Sequence, residues 1–530
     1  MRNDYYENEI AHLRRAFNEK ELKLPVDPTI DRLIEGVAYL NSQLKCHLAS
    51  DLADISETTI RHLAPEFLAP IPCYSLVEFK PKQHQLHREI VFNKGSELQT
   101  DQSIPFTLQS DLLIAPITIN HLKYESIEGG KSQLSLEITI DMEANNFSKI
   151  NFYLNSEYGQ SCELYYFFMK KLSSIQYKDK NLQYEIETKH LVSSNLFSKP
   201  KLSIFERLKL YFSNPSLQFF LKIDTPKLSQ HFTLIFNFND RLSNKNIFNT
   251  NLIKLNIGIL ANLFEYSAEP ISLAKRKIEY PLYIERNQQH LALHFIKKVV
   301  GTDVFMSAEE EYLPYGIGLS GPFYQLLTRE SLGGEEEYFL SFSDSVSYQN
   351  RIISTDLIIS NGYQAEFNMS ENVVFHGDTI PSSVEVFSIR SAGHYHPVPN
   401  NKSKLWRLTG YLTFSLGSIL DINNLKQLLH DCDWSRKRES DSKIESIIDI
   451  RYYNEHVIQK GIIYHCIKVE IIFDDSNFSS ISEIFCFGEI LFQLFLAFVH
   501  INHLVSLSIN CVQSKEIIVW EPVIGRKIVL

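Results

Sequence analysis

The stretch "IFCFGEILFQLFLAFVHI", Ile484 to Ile501, constrains the fold more than any other. It is apolar nearly all round a helix, so water must be kept from every side of it. Its length is close to the minimum for crossing a bilayer. Glu489 and Gln493 fall inside it, and each is costly in hydrocarbon. Strongly basic flanks are missing. The expectation is a helix covered by a deep core or by a partner, with a cytoplasmic, soluble chain around it. A core able to cover such a helix needs other apolar elements. The chain has them: 35 Phe and 26 Tyr in 530 residues favour strands, because aromatic and β-branched side chains fit a pleated sheet.

The N-terminal 70 residues read as helical. Tyr6, Ile10, Leu13 and Phe17 recur at spacings of four, three and four. In "DPTIDRLIEGVAYLNSQLKCHL", Asp27 suits a cap and Pro28 a first turn. Ile30, Leu33, Ile34, Val37, Leu44 and Leu48 then share a face. A third helix starts near Ser56 and runs into Pro65, Pro70 and Pro72, which end helical structure. From there "CYSLVEFKP", "SQLSLEITI", "KINFYLN", "HFTLIFNF" and "LIKLNIGIL" read as strands, and the β-rich character lasts to about residue 400. The stretch from Val192, "VSSNLFSKPKL", reads as an internal loop. The last 130 residues mix both. "LWRLTGYLTFSL" reads as a strand, "NNLKQLLHDC" as a helix, "IESIIDIRYY" and "GIIYHCIKVEIIF" as strands, followed by the apolar helix from Ile481 and a strand near "EIIVW". The expected class is α+β: a helical arm over 1–70, a β-rich middle over 71–290, a second β-rich region over 291–400 and an α+β domain over 401–530.

The net charge of −11 argues against a nucleic-acid footprint. Seven cysteines without a C-x-x-C pattern fit free thiols in a reducing compartment. Catalytic signatures fail on context. "GIGLSG" follows an acidic segment broken by Pro314, where a dinucleotide fingerprint needs a buried strand. Gly130-Lys131-Ser132 lacks the first P-loop glycine, since position 125 is Glu125. His84 with His87, and His500 with His503, are pairs that each need a third ligand, and the sequence shows none. "GHYHPVP" puts His394 and His396 on one face of an extended segment. A metal-dependent hydrolase built on that pair is one alternative reading, and a ligand-binding β-domain is another. Pro397 and Pro399 favour a stiff connector instead. No cofactor and no catalytic or metal-binding set is expected.

Four blocks in order resemble one family, the type VI secretion baseplate subunit TssF (ImpG/VasA). They are "DPTIDRLIEGVAYLNSQL" with "IRHLAPEFLAPIPCYSLVEF", then "NLFEYSAEPISLAKRKIEYPL", then "LWRLTGYLTFSLGSIL", then "FCFGEILFQLFLAFVHINHLVSL" with the closing "VWEPVIGRKIVL". Departures are "TFSLGS" after the "LWRL" block and His503 where the family often has Ser. The resemblance implies a non-enzymatic wedge component of the baseplate, in the bacterial cytoplasm and docked on the inner-membrane complex. Implied partners are TssG, a second copy of TssF, TssK, TssE and the hub and spike, with no part of the chain spanning the membrane. Residues expected at partner interfaces are Ile10, Leu13, Phe17, Leu33, Val37 and Leu44 in the arm, and Phe485, Leu491, Phe495 and Phe498 in the apolar helix.

Overall fold

The computed structural model describes Arg32, residues 35–41 and residues 57–527, less 62, 83–84, 142–148, 181, 195–201, 226–228, 243–249, 274–276, 285–290, 304–308, 316–320, 331–335, 344–350, 368–369, 400–401 and 460. The chain forms two compact units, one of residues 1–68 and 399–414, the other of residues 69–398 and 415–530. The expected helical arm lies largely outside the described residues. Within it, 35–41 and 57–61 are helical and Pro65–Leu68 is a 3-10 turn.

Helices are numbered here from residue 69 onward, with one that belongs to the first unit. They are α1 (Tyr158–Tyr166), α2 (Ile204–Ser213), α3 (Tyr363–Phe367), α4 (Lys402–Leu412), α5 (Leu416–Ile419), α6 (Ile422–Cys432), α7 (Arg438–Glu445) and α8 (Ile481–Phe498). Helix α4 lies in the smaller unit. It corrects the reading of "LWRLTGYLTFSL" as a strand. Leu405, Leu408 and Leu412 fall three and four apart, a helical rather than a two-residue period.

In the larger unit, six strands close into a barrel. Tyr74–Pro81 pairs with Ile257–Ala261 on one side and with Val384–Ser388 on the other, and Pro105–Leu108, Glu97–Thr100 and Val374–His376 complete the ring. Closure leaves no open edge. The barrel is filled by Val77, Phe79, Leu98, Phe106 and Phe375 among others. Gly258 is needed at the wall, because a Cβ there would come within 2.9 Å of the Phe79 ring.

A five-stranded and a four-stranded sheet follow from the middle of the chain. Their inner faces meet where the Phe152 and Phe236 rings sit edge to face at 6.4 Å. The alternation of "HFTLIFNF" is reproduced as the strand His231–Phe238, whose even positions are buried. Residues 264–360 add two more sheets around their own core of Val299, Tyr312, Leu340, Ile353 and Leu357. Of the loop reading from Val192, residues 195–201 lie outside the described residues, and its first two residues are strand instead. Leu191–Ser193 is a short edge strand, and α2 starts at Ile204 behind a capping box made by Ser203 and Glu206.

The C-terminal sheet has the order Ile447–Gln459, Ile462–Phe473, His503–Cys511, Ile517–Ile524. Its central pair is parallel, joined through α8 as the crossover.

Candidate interface and the apolar helix

Ser480 caps α8, its side chain accepting from the Glu483 amide. The helix is long and apolar enough to cross a bilayer, with a mean hydropathy of 1.8, yet 78% of it is buried inside this protein. Phe485 stacks on Trp520 with ring centres 5.4 Å apart and planes 6° from parallel. On its flanks, Phe485 meets Tyr166 of α1 at 5.2 Å, and Phe487 meets Tyr211 of α2 at 5.9 Å. Gly488 allows the sheet to approach this closely, since a Cβ there would lie 2.3 Å from Trp520 and 2.6 Å from Ile509.

The polar residues that disqualified the segment as a membrane span are spent on this packing. Glu489 accepts a hydrogen bond from Trp520 Nε1 at 2.9 Å. Burial pushes its carboxyl up from the usual carboxylate range, against the opposing pull of that bond and of Lys170. Gln493 accepts from Arg526 at 2.8 Å. At the start of the helix Glu483 pairs with Lys443 of α7 at 2.5 Å, both side chains largely out of water.

The expected interface residues therefore divide. Phe485, Leu491 and Phe495 are at most 1% exposed and sit in the chain's own core, so they present no surface to a partner. Phe498 is half-buried, its ring 6.3 Å from Phe205. Val37 is exposed. Ile10, Leu13, Phe17, Leu33 and Leu44 lie outside the described residues. The sequence pattern could not separate core from interface on α8, because apolarity all round is the signature of both.

The histidine stretch is held by backbone and carboxylate. His394 Nδ1 is bonded to Glu366 of α3, whose other oxygen accepts from the Tyr395 amide at 3.2 Å. His396 exchanges backbone bonds with Ile71 at 2.9 and 3.0 Å. Gly393 passes so close to Asn214 that a Cβ would overlap its Oδ1 at 1.7 Å. A cleft of about 330 Å³ opens beside it, lined by Tyr158, Arg390, His394, Lys437 and Lys443 among others. Arg390 is bound to the Asn155 side chain and the Ser156 carbonyl. Among the described residues, no three or more His, Cys, Asp or Glu side chains gather as a metal cage. The boundary between the two compact units falls directly after Val398, inside this stretch.

Burial pushes His396 down to about 4, and His294 likewise. Both are neutral in the fold and take up a proton near 6.5 when unfolded. Their contribution is complete above about pH 6.5 and is lost as pH falls from there toward 4. Urea midpoints should hold level above pH 6.5 and then decline. The slope from His294, whose Nδ1 is sealed from water, is at most about 1.4 kcal/mol per pH unit. His396→Asn should flatten part of that decline, and an unchanged profile would reject the assignment.

Comparison with known proteins agrees with this architecture. The sequence model of the family described as "Type VI secretion system, TssF" matches residues 2–527. The type VI secretion system component TssF1 of Pseudomonas aeruginosa is 25% identical over 95 residues, 16% of this chain and 15% of that protein. The match thus spans well under two thirds of that relative. A chain of the TssK-TssF-TssG baseplate subcomplex, solved by cryo-electron microscopy, superposes with a TM-score of 0.77 at 17% identity, over 94% of this chain and 99% of that one. A chain of the type VI secretion baseplate complex gives 0.61 at 14%, over 98% and 99%. The fold is shared across the whole chain, and with the family sequence pattern running from residue 2 to residue 527 the chain belongs to the TssF family of the type VI secretion system.

Proposed function

We propose that this chain is a structural component of a type VI secretion baseplate wedge, without catalysis of its own. The observation that carries the reading is the family match over residues 2–527. The fold match to a chain of the TssK-TssF-TssG subcomplex supports it. TssG and TssK are the partners proposed first. A second copy of the chain, TssE and the hub and spike are further partners of the same wedge, which would assemble in the bacterial cytoplasm against the inner-membrane complex and initiate the contractile sheath and tube.

The partner-facing residues proposed are Ile10, Leu13, Phe17, Leu33, Val37 and Leu44, with Phe498 at the end of α8. An amphipathic helix shorter than about 15 residues is marginal alone and needs a surface to cover its apolar stripe. Phe485, Leu491 and Phe495 are left out because their neighbours are already supplied by this chain.

Co-expression with TssG and TssK, followed by affinity capture through TssG, should retain this chain. Leu13→Asp and Phe17→Asp should each cut its recovery at least about tenfold, while circular dichroism of the β-rich body stays unchanged. Recovery of both variants at the unmodified level would move the interface away from the N-terminal stripe. Failure of the unmodified chain to co-purify would reject the wedge reading itself.

A further inference from the structure

The cleft beside Gly393 draws its walls from three places in the larger unit: the end of α2 with the turn after it, residues 390–394, and the first turns of α7. Helix α7 opens into it without a side-chain cap, because the cap position is Lys437 and an ammonium has no acceptor to offer. The first amides to find a helical acceptor are those of Ser440 and Asp441, both on the Lys437 carbonyl, at 3.0 and 3.2 Å. The Arg438 and Glu439 amides come before them, at the positive end of the helix.

Tyr211 of α2 is an independent observation at the same place. It lines the cleft, is 3% exposed, and its hydroxyl has no hydrogen-bond partner. A buried hydroxyl ordinarily has one, so this one needs an explanation. Its polar neighbour in the wall is Tyr158. Burial pushes both phenols well above the usual range, so each keeps a proton to donate. The lining holds three permanent cations. Lys443 is neutralised by Glu483. Arg390 is held only by neutral groups, the Asn155 side chain and the Ser156 carbonyl, so its charge stands. Lys437 is exposed and has no ion pair among the described residues. His394 is engaged by Glu366, and the one carboxylate in the lining is Glu439.

We propose that this cleft binds a small oxyanion, a carboxylate or a phosphate group, held by the open start of α7, Lys437, Arg390 and the Tyr211 hydroxyl. The amides, the ammonium and the guanidinium can only donate, and the buried phenol has its hydrogen free. An oxyanion, whose oxygens only accept, is the complement of that set. A helix start with unused amides and a cation beside it favours the same ligand. The volume of about 330 Å³ is at the low end for small-molecule sites and suits an anion of a few carbons. The walls are held in place before any ligand arrives. Gly393 donates to the Tyr74 carbonyl at 2.8 Å and lies against Asn214 too closely for any side chain.

The test is calorimetric titration of sodium phosphate, and separately of sodium succinate, into the full chain in Tris buffer at pH 7.5 and constant ionic strength, so that general screening does not change. At least one of the two should bind saturably, at about one equivalent, and the tighter one identifies the group the cleft prefers. Lys437→Gln should weaken binding about fivefold or more, and as an exposed residue it leaves the fold intact. Tyr211→Phe should weaken it about threefold or more, and its fold is kept because the lost hydroxyl had no partner. Glu439→Gln should tighten it about twofold or more by removing the repelling carboxylate. Lys94→Gln, an exposed lysine outside the lining, should leave it unchanged. Absence of saturable binding of both anions overturns the proposal. So does an affinity that is unchanged in both Lys437→Gln and Tyr211→Phe.

Discussion

Replacing Lys443 with methionine should lower the unfolding free energy by about 3 kcal/mol at pH 7, within the 3–5 kcal/mol range for stripping one partner from a buried ion pair. The Lys443 and Glu483 side chains are 15% and 5% exposed, and their charged atoms meet at 2.5 Å. Burial pushes the Glu483 carboxyl up, but Lys443 and two hydrogen bonds from Ser479 outweigh it and hold the carboxyl below its usual range. Methionine keeps the aliphatic stem and leaves the carboxylate with Ser479 alone. The low end of the range applies because those bonds, and the α8 N-terminus, remain. A carboxyl held low contributes stability that is present above about pH 4.5 and lost as pH falls below it. The gap between variant and unmodified chain should therefore shrink in acid. The double change Lys443→Met with Glu483→Gln should recover most of the loss. A penalty under about 1 kcal/mol in urea denaturation at pH 7 would show that the pair is effectively solvated.

This pair illustrates what the sequence could disclose. Ser480 before an apolar run, with Glu483 three residues on, is a legible helix start. The partner of Glu483 was not legible, because Lys443 lies forty residues away and only the tertiary fold brings it near. Strands were legible where one face is buried and the period is two, as in His231–Phe238. Helices α1 and α2 were missed because they sit in the middle of a β-rich stretch and are buried on most sides. Arg207, Lys209 and Ser213 of α2 are themselves buried, so its polar residues mark no solvent face. His465, which faces His456 on one neighbouring strand and His503 on the other, follows the same rule. His500 and His503 were visible as a pair, but a cross-strand neighbour is a property of register, and register between strands forty residues apart is not written in local spacing. The family assignment did not depend on any of this. It rested on the order of four blocks along the chain, which tolerates a misread element such as α4.

Phe485→Ala should cost about 3–5 kcal/mol, the usual penalty for removing a buried aromatic ring. The ring is 1% exposed and touches Trp520, Tyr165 and Tyr166, so its loss opens a hole between α8, α1 and the C-terminal sheet. The hole cannot close readily. On the sheet side Gly488 already brings backbone and Trp520 together, and Lys170 lies over both the Phe485 and Trp520 rings. Phe498→Ala, at the half-buried end of the same helix, should cost only about 1–2 kcal/mol, because less apolar surface is returned to water. The two changes separate the two meanings of an apolar helix. A core residue loses stability in the isolated chain, before any partner is added, while an interface residue loses co-purification with its fold intact. Thermal unfolding of the isolated variants, set beside TssG capture at a temperature where both remain folded, reads the two effects separately. Full stability of Phe485→Ala together with lost capture would place α8 on the surface of the working protein. A loss of stability at Phe485, with capture impaired only as far as the folded fraction falls, makes α8 the element on which the C-terminal sheet is assembled and leaves partner recognition to other surfaces.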